Sequence, residues 1–227
     1  GSMSRVFVPS SGPGDWRALL ADPIKHWARG YSARTLAHRW EDQDGFPSEI
    51  MDILSQNEIL AKAEPLLIFP EWKVSLPGGS RPSQNDVWIL AKSGGDLISI
   101  TIEGKVEESF DKTVGEWKAD ASPGKDKRLN YILEVLSLQD PVPDSIYYQL
   151  LHRTASAVIE AERFGASHAV MLVHSFSPIQ QWFDEFSNFS SLFELKAEIG
   201  RLMTTKARNG LPLHLGWVHG DERFLQL

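Results

Sequence analysis

The sequence predicts one α/β domain in which helices flank a central mixed sheet. Three observations predict it. Apolar residues recur at helical spacing through the first third of the chain. From Leu66 the period shortens to the alternation of strands. After three consecutive strand patterns the order becomes helices, strand, helix and strand, with no repeat, linker or low-complexity segment to divide it. Gly1 and Ser2, ahead of Met3, read as a scar of tag removal, so the expected single domain is 3–227.

The elements follow in order. Asp22-Pro23 is an N-cap with proline at the first helical position, and Gly30 supplies the stop. Ser32 caps a second helix over 33–41, whose Leu36, Ala37 and Trp40 share a face. Pro47 opens a third helix through Ile50, Ile53 and Leu54. These N-terminal helices, about 15–46 for the elaboration ahead of the core, carry a basic cluster: Lys25, His26, Arg29, Arg34, His38 and Arg39. That cluster reads equally as a solvated surface or a phosphate-contact face.

Residues 66–76 and 87–91 read as strands joined by the turn-rich PGGSRPS. Gly94-Gly95 turns the chain into a third strand, 97–105. The polar KADASPGKDKR reads as a loop; it resembles a phosphate loop only superficially, because Asp126 follows Lys125 where Ser or Thr is required. A helix follows over 127–138, and Pro141 and Pro143 end it. Asp144 then caps a long helix, 145–164. HAVMLVHSF is a buried strand. Ser177-Pro178 with Gln180 reads as a capping box opening a helix that carries Trp182, Phe183, Phe186, Phe189 and Phe193, a stripe that packs into a core by default. Residues 211–218 make a final strand.

Composition excludes several functions. The 227 residues include no cysteine, which removes disulfides, thiolate zinc sites and cysteine nucleophiles and fits a reducing cytoplasm. No apolar run approaches the roughly 20 residues needed to span a bilayer, so no membrane association is expected. A net charge of −7 argues against a protein that coats nucleic acid non-specifically, but it is compatible with a local basic groove beside an acidic site. There is no H-E-x-x-H, G-x-S-x-G or G-x-G-x-x-G, and His168 and His174 share a strand face but stand too far apart for one ion.

The chemistry concentrates at the end of the third strand. Ile98, Ile100 and Ile102 face one way, while Ser99, Thr101, Glu103 and Lys105 face the other. Asp86 opens the preceding strand. If the strands are neighbours, two carboxylates and an amine converge. Asp86, Glu103 and the Gly104 carbonyl would form part of an oxygen shell for Mg²⁺ or Mn²⁺, with Lys105 placed to orient water or stabilise charge on a phosphate. The competing reading is a structural salt bridge between Glu103 and Lys105. Asp86 alters that balance, because two neighbouring carboxylates repel unless a cation compensates them.

Asp86 followed by Glu103-Gly104-Lys105 at the end of the next strand resembles the PD-(D/E)XK nuclease superfamily, the restriction-endonuclease-like fold. Asn85 stands where the motif's name has proline. The resemblance covers about 47–175, with the N-terminal helices and the C-terminal helix and strand as elaborations. It implies a metal-dependent phosphodiesterase acting on DNA, with Asp86 and Glu103 as metal ligands and Lys105 as a catalytic amine. Some members place a glutamine on the following helix, aimed at the metal. Gln149 matches it, with Arg153 one turn later. A further acidic ligand is expected from Glu49, Glu58 or Glu71. Double-strand cutters of this fold often act as dimers, so a homodimer is also expected. The alternative is a catalytically inactive scaffold of the same fold, or a module that binds nucleic acid or protein. The whole chain further resembles a group of bacterial proteins that lends no biochemical role.

Overall fold

The computed structural model describes residues 6, 12–20, 27, 31–42, 45–120 and 122–227. The helix expected between Asp22 and Gly30, with Lys25, His26 and Arg29, lies outside the described residues. The six strands are β1 (Glu64–Val74), β2 (Ser83–Ser93), β3 (Asp96–Lys105), β4 (His168–Ser175), β5 (Met203–Lys206) and β6 (Pro212–His219). They form one mixed sheet in the order β1-β2-β3-β4-β6-β5. The first three are antiparallel neighbours. β3, β4 and β6 run parallel, and β5 returns antiparallel to β6.

Helices cover both faces. On one side lie α1 (Ser32–Glu41), α2 (Ser48–Leu54) and a C-terminal 3₁₀ turn at Glu222–Gln226. Leu36, Trp40, Ile50, Ile53 and Phe224 pack there against Val87, Ile89, Ile100, Ile102, Val170 and Leu172. The other side carries α3 (Val114–Lys118), α4 (Pro123–Val135), α5 (Tyr148–Phe164) and α6 (Phe183–Ser191). Among the described residues no helix is long and apolar enough to cross a membrane.

Five strands fall within a few residues of the sequence expectation; β4 is buried at every position and β3 and β6 nearly so, so apolar runs bounded by turns mark them as much as alternation does. β5 was not expected: it has four residues, MTTK, with a single apolar side chain. Three helix starts differ, each for a physical reason. Asp144 does not cap α5. The Asp144 carbonyl accepts from Gly115 N–H at 3.0 Å and that of Ile146 from Val114 N–H at 2.7 Å, so this segment pairs with the start of α3 and α5 begins at Tyr148. The expected polar loop ends early, because Ser122 accepts from Lys125 N–H at 3.3 Å and starts α4 at Pro123. The Ser177 hydroxyl does accept from a backbone N–H, that of Gln181 at 3.1 Å, but Gln180 and Trp182 have φ of 50° and 75°, and α6 starts only at Phe183. Gln180 is instead held in the core, its Oε1 accepting from Trp217 Nε1 at 2.7 Å. The aromatic stripe packs as expected, with Phe186 and Phe189 fully buried.

The β1–β2 loop is locked to α4. Arg128 donates to the carbonyls of Pro77 at 3.0 Å and of Leu76 and Gly79 at 3.3 Å. Gly78 has φ +85°, and a Cβ there would stand 2.0 Å from the Gly124 carbonyl oxygen, so only glycine fits. This contact helps to hold β1, β2 and the helical layer together beside the site.

Candidate active site

Two strands and one helix build the site. In β2 and β3, Trp88 pairs with Thr101 and Leu90 with Ser99, which puts these residues on the face toward α5. Ser99 Oγ donates to the Ala157 carbonyl at 2.7 Å, and Thr101 Oγ1 to that of Arg153 at 3.3 Å. The hydroxyls that alternate with isoleucine along β3 therefore dock the helix backbone and satisfy themselves in a dry interface. By the period of two, Asp86, Glu103 and Lys105 continue the same face beneath the N-terminal half of α5.

The ladder between β2 and β3 ends at Val87 and Ile102. Beyond it, Asp86 Oδ2 accepts the Gly104 N–H at 2.7 Å, so a carboxylate takes the place of the next backbone rung. Lys105 Nζ lies 3.2 Å from Glu103 Oε1, donates to the Ser109 carbonyl at 3.2 Å, and stands 4.7 Å over the centre of the Phe110 ring. Arg153 reaches in from α5. Its Nη1 pairs with Glu103 Oε2 and lies 3.6 Å from Asp86 Oδ2. The guanidinium thus bridges the two carboxylates.

The cluster is buried at the back and open at the front. The Glu103 and Lys105 side chains are 3% and 4% exposed, against 21% for Asp86 and 15% for Arg153. Burial lowers the pKa of Lys105, while the charges of Glu108, Asp86 and Asp111 oppose the shift. Among the described residues, three buried polar atoms of α5 are left without a hydrogen bond: Tyr148 Oη, Gln149 Oε1 and Arg153 Nε. Gln149 stands one turn ahead of Arg153 on the same helix face, as the sequence predicts.

The three acidic candidates separate. Glu71 joins the site. Pro70 pairs with Val87 and Trp72 with Asn85, so Glu71 stands opposite Asp86 on β1. Its φ of 53° is unusual for a strand residue, and Gln84 Nε2 donates to its Oε2 at 2.9 Å. Burial, then the Asp86 charge, push its carboxyl up to about 8, with Gln84, Arg153 and Lys73 pulling against the rise. Glu58 is exposed in the turn after α2, next to Ile59, whose carbonyl accepts from Ser93 at the far end of β2. Glu49 belongs to a different cluster across the sheet. It accepts from Arg39 Nε at 2.8 Å and from Asp221 N–H at 2.9 Å.

That second cluster also corrects the basic face. Arg39 is buried against Glu49 and turns away from solvent. His174, fully buried, takes a hydrogen bond on Nδ1 from Trp40 Nε1 at 3.3 Å. The indole only donates, so a neutral His174 carries its proton on Nε2, 3.8 Å from Glu49 Oε2. His168 meets a different partner, with Nδ1 2.9 Å from His214 Nε2.

Asp86, Glu103 and Glu71 carry carboxyl oxygens, and Gln149, one helical turn before Arg153, carries an amide oxygen; oxygen is the donor type that hard divalent cations take. Among the described residues no group of three or more acidic, histidine or cysteine side chains is placed to hold one metal ion, and by themselves Asp86 and Glu103 would give only part of an oxygen shell. The orphaned Gln149 Oε1 and the cation already drawn between the carboxylates fit a site that takes a positive ion. Of the residues the sequence singles out, Asp86, Glu103, Lys105 and Arg153 meet in the structure, while Gln149 makes no side-chain contact with them that the structure records. Sequence reasoning could not rank Glu71, whose place depends on the β1–β2 register.

Fold and site together define an α/β protein with a six-stranded mixed sheet, flanked by helices, and a partly open ionic cluster between sheet and helix. A family model matches residues 9–222, and the chain belongs to that family, a domain of unknown function designated DUF6946. Neither the curated proteins nor the solved structures give a match to the chain.

Proposed function

We propose that this protein is a Mg²⁺- or Mn²⁺-dependent phosphodiesterase acting on DNA, built on a restriction-endonuclease-like core. The observation that carries the reading is the convergence of Asp86, Glu103 and Lys105 on one sheet face, with Arg153 reaching over them from α5 and the Asp86 side open to solvent. The order of β1 to β3, helix and β4 supports the fold assignment.

Asp86 and Glu103 would hold the ion, with Gln149 Oε1 and water completing the shell. When bound, the ion supplies Lewis acidity toward a phosphate oxygen and toward water. Lys105, fixed by Glu103 and the Ser109 carbonyl, stabilises negative charge that develops on the phosphate. Arg153 adds a second positive group that can fork across phosphate oxygens. In the ion-free protein, burial and then the Asp86 charge raise the Glu71 carboxyl to about 8, which limits the negative charge beside the pair.

A second reading is favoured by one observation. The bridging Arg153 already compensates both carboxylates, as a purely structural ion cluster would require. In that case the protein is an inactive scaffold of the same fold. Incubation with supercoiled and linear DNA in Mn²⁺ separates the two. The enzyme reading predicts cleavage by the wild type and none by Asp86→Ala or Lys105→Met. Equal behaviour of all three proteins contradicts it. Sedimentation of the active form with a short duplex tests the expected homodimer.

A further inference from the structure

We propose that Arg153 is a resident occupant of the cation site: a divalent ion must displace its guanidinium from Asp86 and Glu103, and the displaced guanidinium then binds the phosphodiester. Metal and phosphodiester would therefore bind cooperatively. The inference rests on the reading of Asp86 and Glu103 as metal-binding carboxylates.

Four observations carry it. First, Arg153 Nη1 contacts Glu103 Oε2 and lies 3.6 Å from Asp86 Oδ2, in the position an ion shared by those oxygens would take. A guanidinium does not deprotonate in proteins, so it cannot yield by losing its charge and must move. Second, the bridge is imperfect. Arg153 Nε is buried without a hydrogen-bond partner, and so is Gln149 Oε1 one turn earlier. Unmet polar atoms raise the energy of this state relative to one in which an ion or phosphate meets them. Third, the movement needs no change in the fold. The Arg153 backbone is pinned, its carbonyl accepting from Thr101 Oγ1 at 3.3 Å, while its side chain borders solvent. Fourth, Lys105 cannot take the same part. It is buried, tied to Glu103 and to the Ser109 carbonyl, and covered by Phe110. Of the two basic groups on the carboxylates, Arg153 alone has a way out.

Cooperativity follows by linkage. An ion that frees Arg153 creates a phosphate site, and a phosphodiester that captures Arg153 vacates the carboxylates. Each must strengthen the other by the same factor.

Calorimetric titration with Mn²⁺ tests this without reference to cleavage. The probes are Mn²⁺ alone and Mn²⁺ in the presence of dimethyl phosphate, a diester with no base or sugar. Arg153→Gln is expected to bind Mn²⁺ at least tenfold more tightly than the wild type. Dimethyl phosphate is expected to tighten Mn²⁺ binding to the wild type by about fivefold or more, and to have no effect on Arg153→Gln. Arg153→Lys, which keeps the charge but loses the fork, falls between them, and it decides the matter if circular dichroism shows Arg153→Gln unfolded. Equal or weaker Mn²⁺ binding by the folded Arg153 variants, with binding abolished by Asp86→Ala, overturns the occupant role and leaves the metal site standing. No Mn²⁺ binding by the wild type or any folded variant overturns both.

Discussion

Glu49 and Glu71 are both partly buried carboxyls, they lie on opposite sides of the same sheet, and they titrate in opposite directions. Burial alone would raise Glu49, but His174 and Arg39 outweigh it and bring its carboxyl down to about 2. Glu71 has burial and the Asp86 charge acting together, and it rises to about 8. Around Glu49 the arginine fork and the Asp221 N–H bind one carboxylate, with His174 Nε2 3.8 Å away, which stitches α1, α2, β4 and the C-terminal turn together. Around Glu71 and Asp86 three carboxyl groups, with Glu103, share Lys105 and the bridging Arg153, and Arg153 Nε goes without a partner. The two clusters do not differ in hydrogen-bond completeness, since each leaves a buried polar atom without a partner, His174 Nε2 in the first and Arg153 Nε in the second. They differ in the charge around the carboxyl and in access to solvent, which the Asp86 side has.

The largest expected effect is on activity. Asp86→Ala and Lys105→Met lower Mn²⁺-dependent DNA cleavage by at least about 100-fold, whereas Glu49→Ala leaves the rate per folded molecule unchanged. Plasmid cleavage at matched folded concentration checks both halves of the contrast.

Stability reverses the ranking. Glu49→Ala strands the buried Arg39 guanidinium and costs about 3 kcal/mol. For a domain of this size that lowers Tm by roughly 10 °C. Asp86→Ala costs less, because Asp86 sits at the solvent-facing edge of its cluster. Differential scanning calorimetry of the two variants measures the difference.

The opposed titrations give opposed pH signatures. Glu71 holds a proton in the folded state between pH 4.5 and about 8 that the unfolded chain releases, so its contribution is present below pH 4.5 and is lost as pH rises through 8. Glu71→Gln, a mimic of the neutral acid, is therefore expected to be about 2 kcal/mol more stable than the wild type at pH 8.5, after allowance for partial exposure, and equal to it at pH 4.5. Glu49 works the other way. Its contribution is present above pH 4.5 and lost as pH falls toward 2. Urea unfolding across pH reads both.

A smaller acid loss belongs to His214, which burial and then His168 lower to about 4. The unfolded chain takes up its proton below pH 6.5 and the folded chain does not until pH 4, so stability falls through that window. The loss between pH 6.5 and 5 is about 1.5 kcal/mol, and His214→Gln flattens it in the same urea series. The smallest effect is that of Glu58→Ala, expected within about 0.5 kcal/mol of the wild type because the residue is exposed and remote from both clusters.

The sequence carried the strands because alternation and apolar runs bounded by turns mark them, and it carried Asp86, Glu103 and Lys105 because strand faces follow from parity. Spacing on one helix likewise paired Gln149 with Arg153. What was not legible depended on contacts distant in the chain. Asp144 looks like a cap, yet its carbonyl is taken by Gly115 across a gap that no local pattern reports. Helix α3 had a local signal that went unread: Thr113 and Glu116 form a reciprocal capping box. Glu71 could not be preferred over Glu49 and Glu58, because its place opposite Asp86 comes from register. That Arg39 turns inward to Glu49 while Arg153 crosses two carboxylates depends on which helix lies over which strand.

Crystals of the protein grown with Mn²⁺ and measured for anomalous scattering would show whether Asp86 and Glu103 hold a divalent ion beside Lys105. The prediction is an anomalous peak within ligand distance of both carboxylates, with the Arg153 guanidinium moved off them. No peak at the cluster, with Arg153 still bridging Asp86 and Glu103 in saturating Mn²⁺, would contradict it.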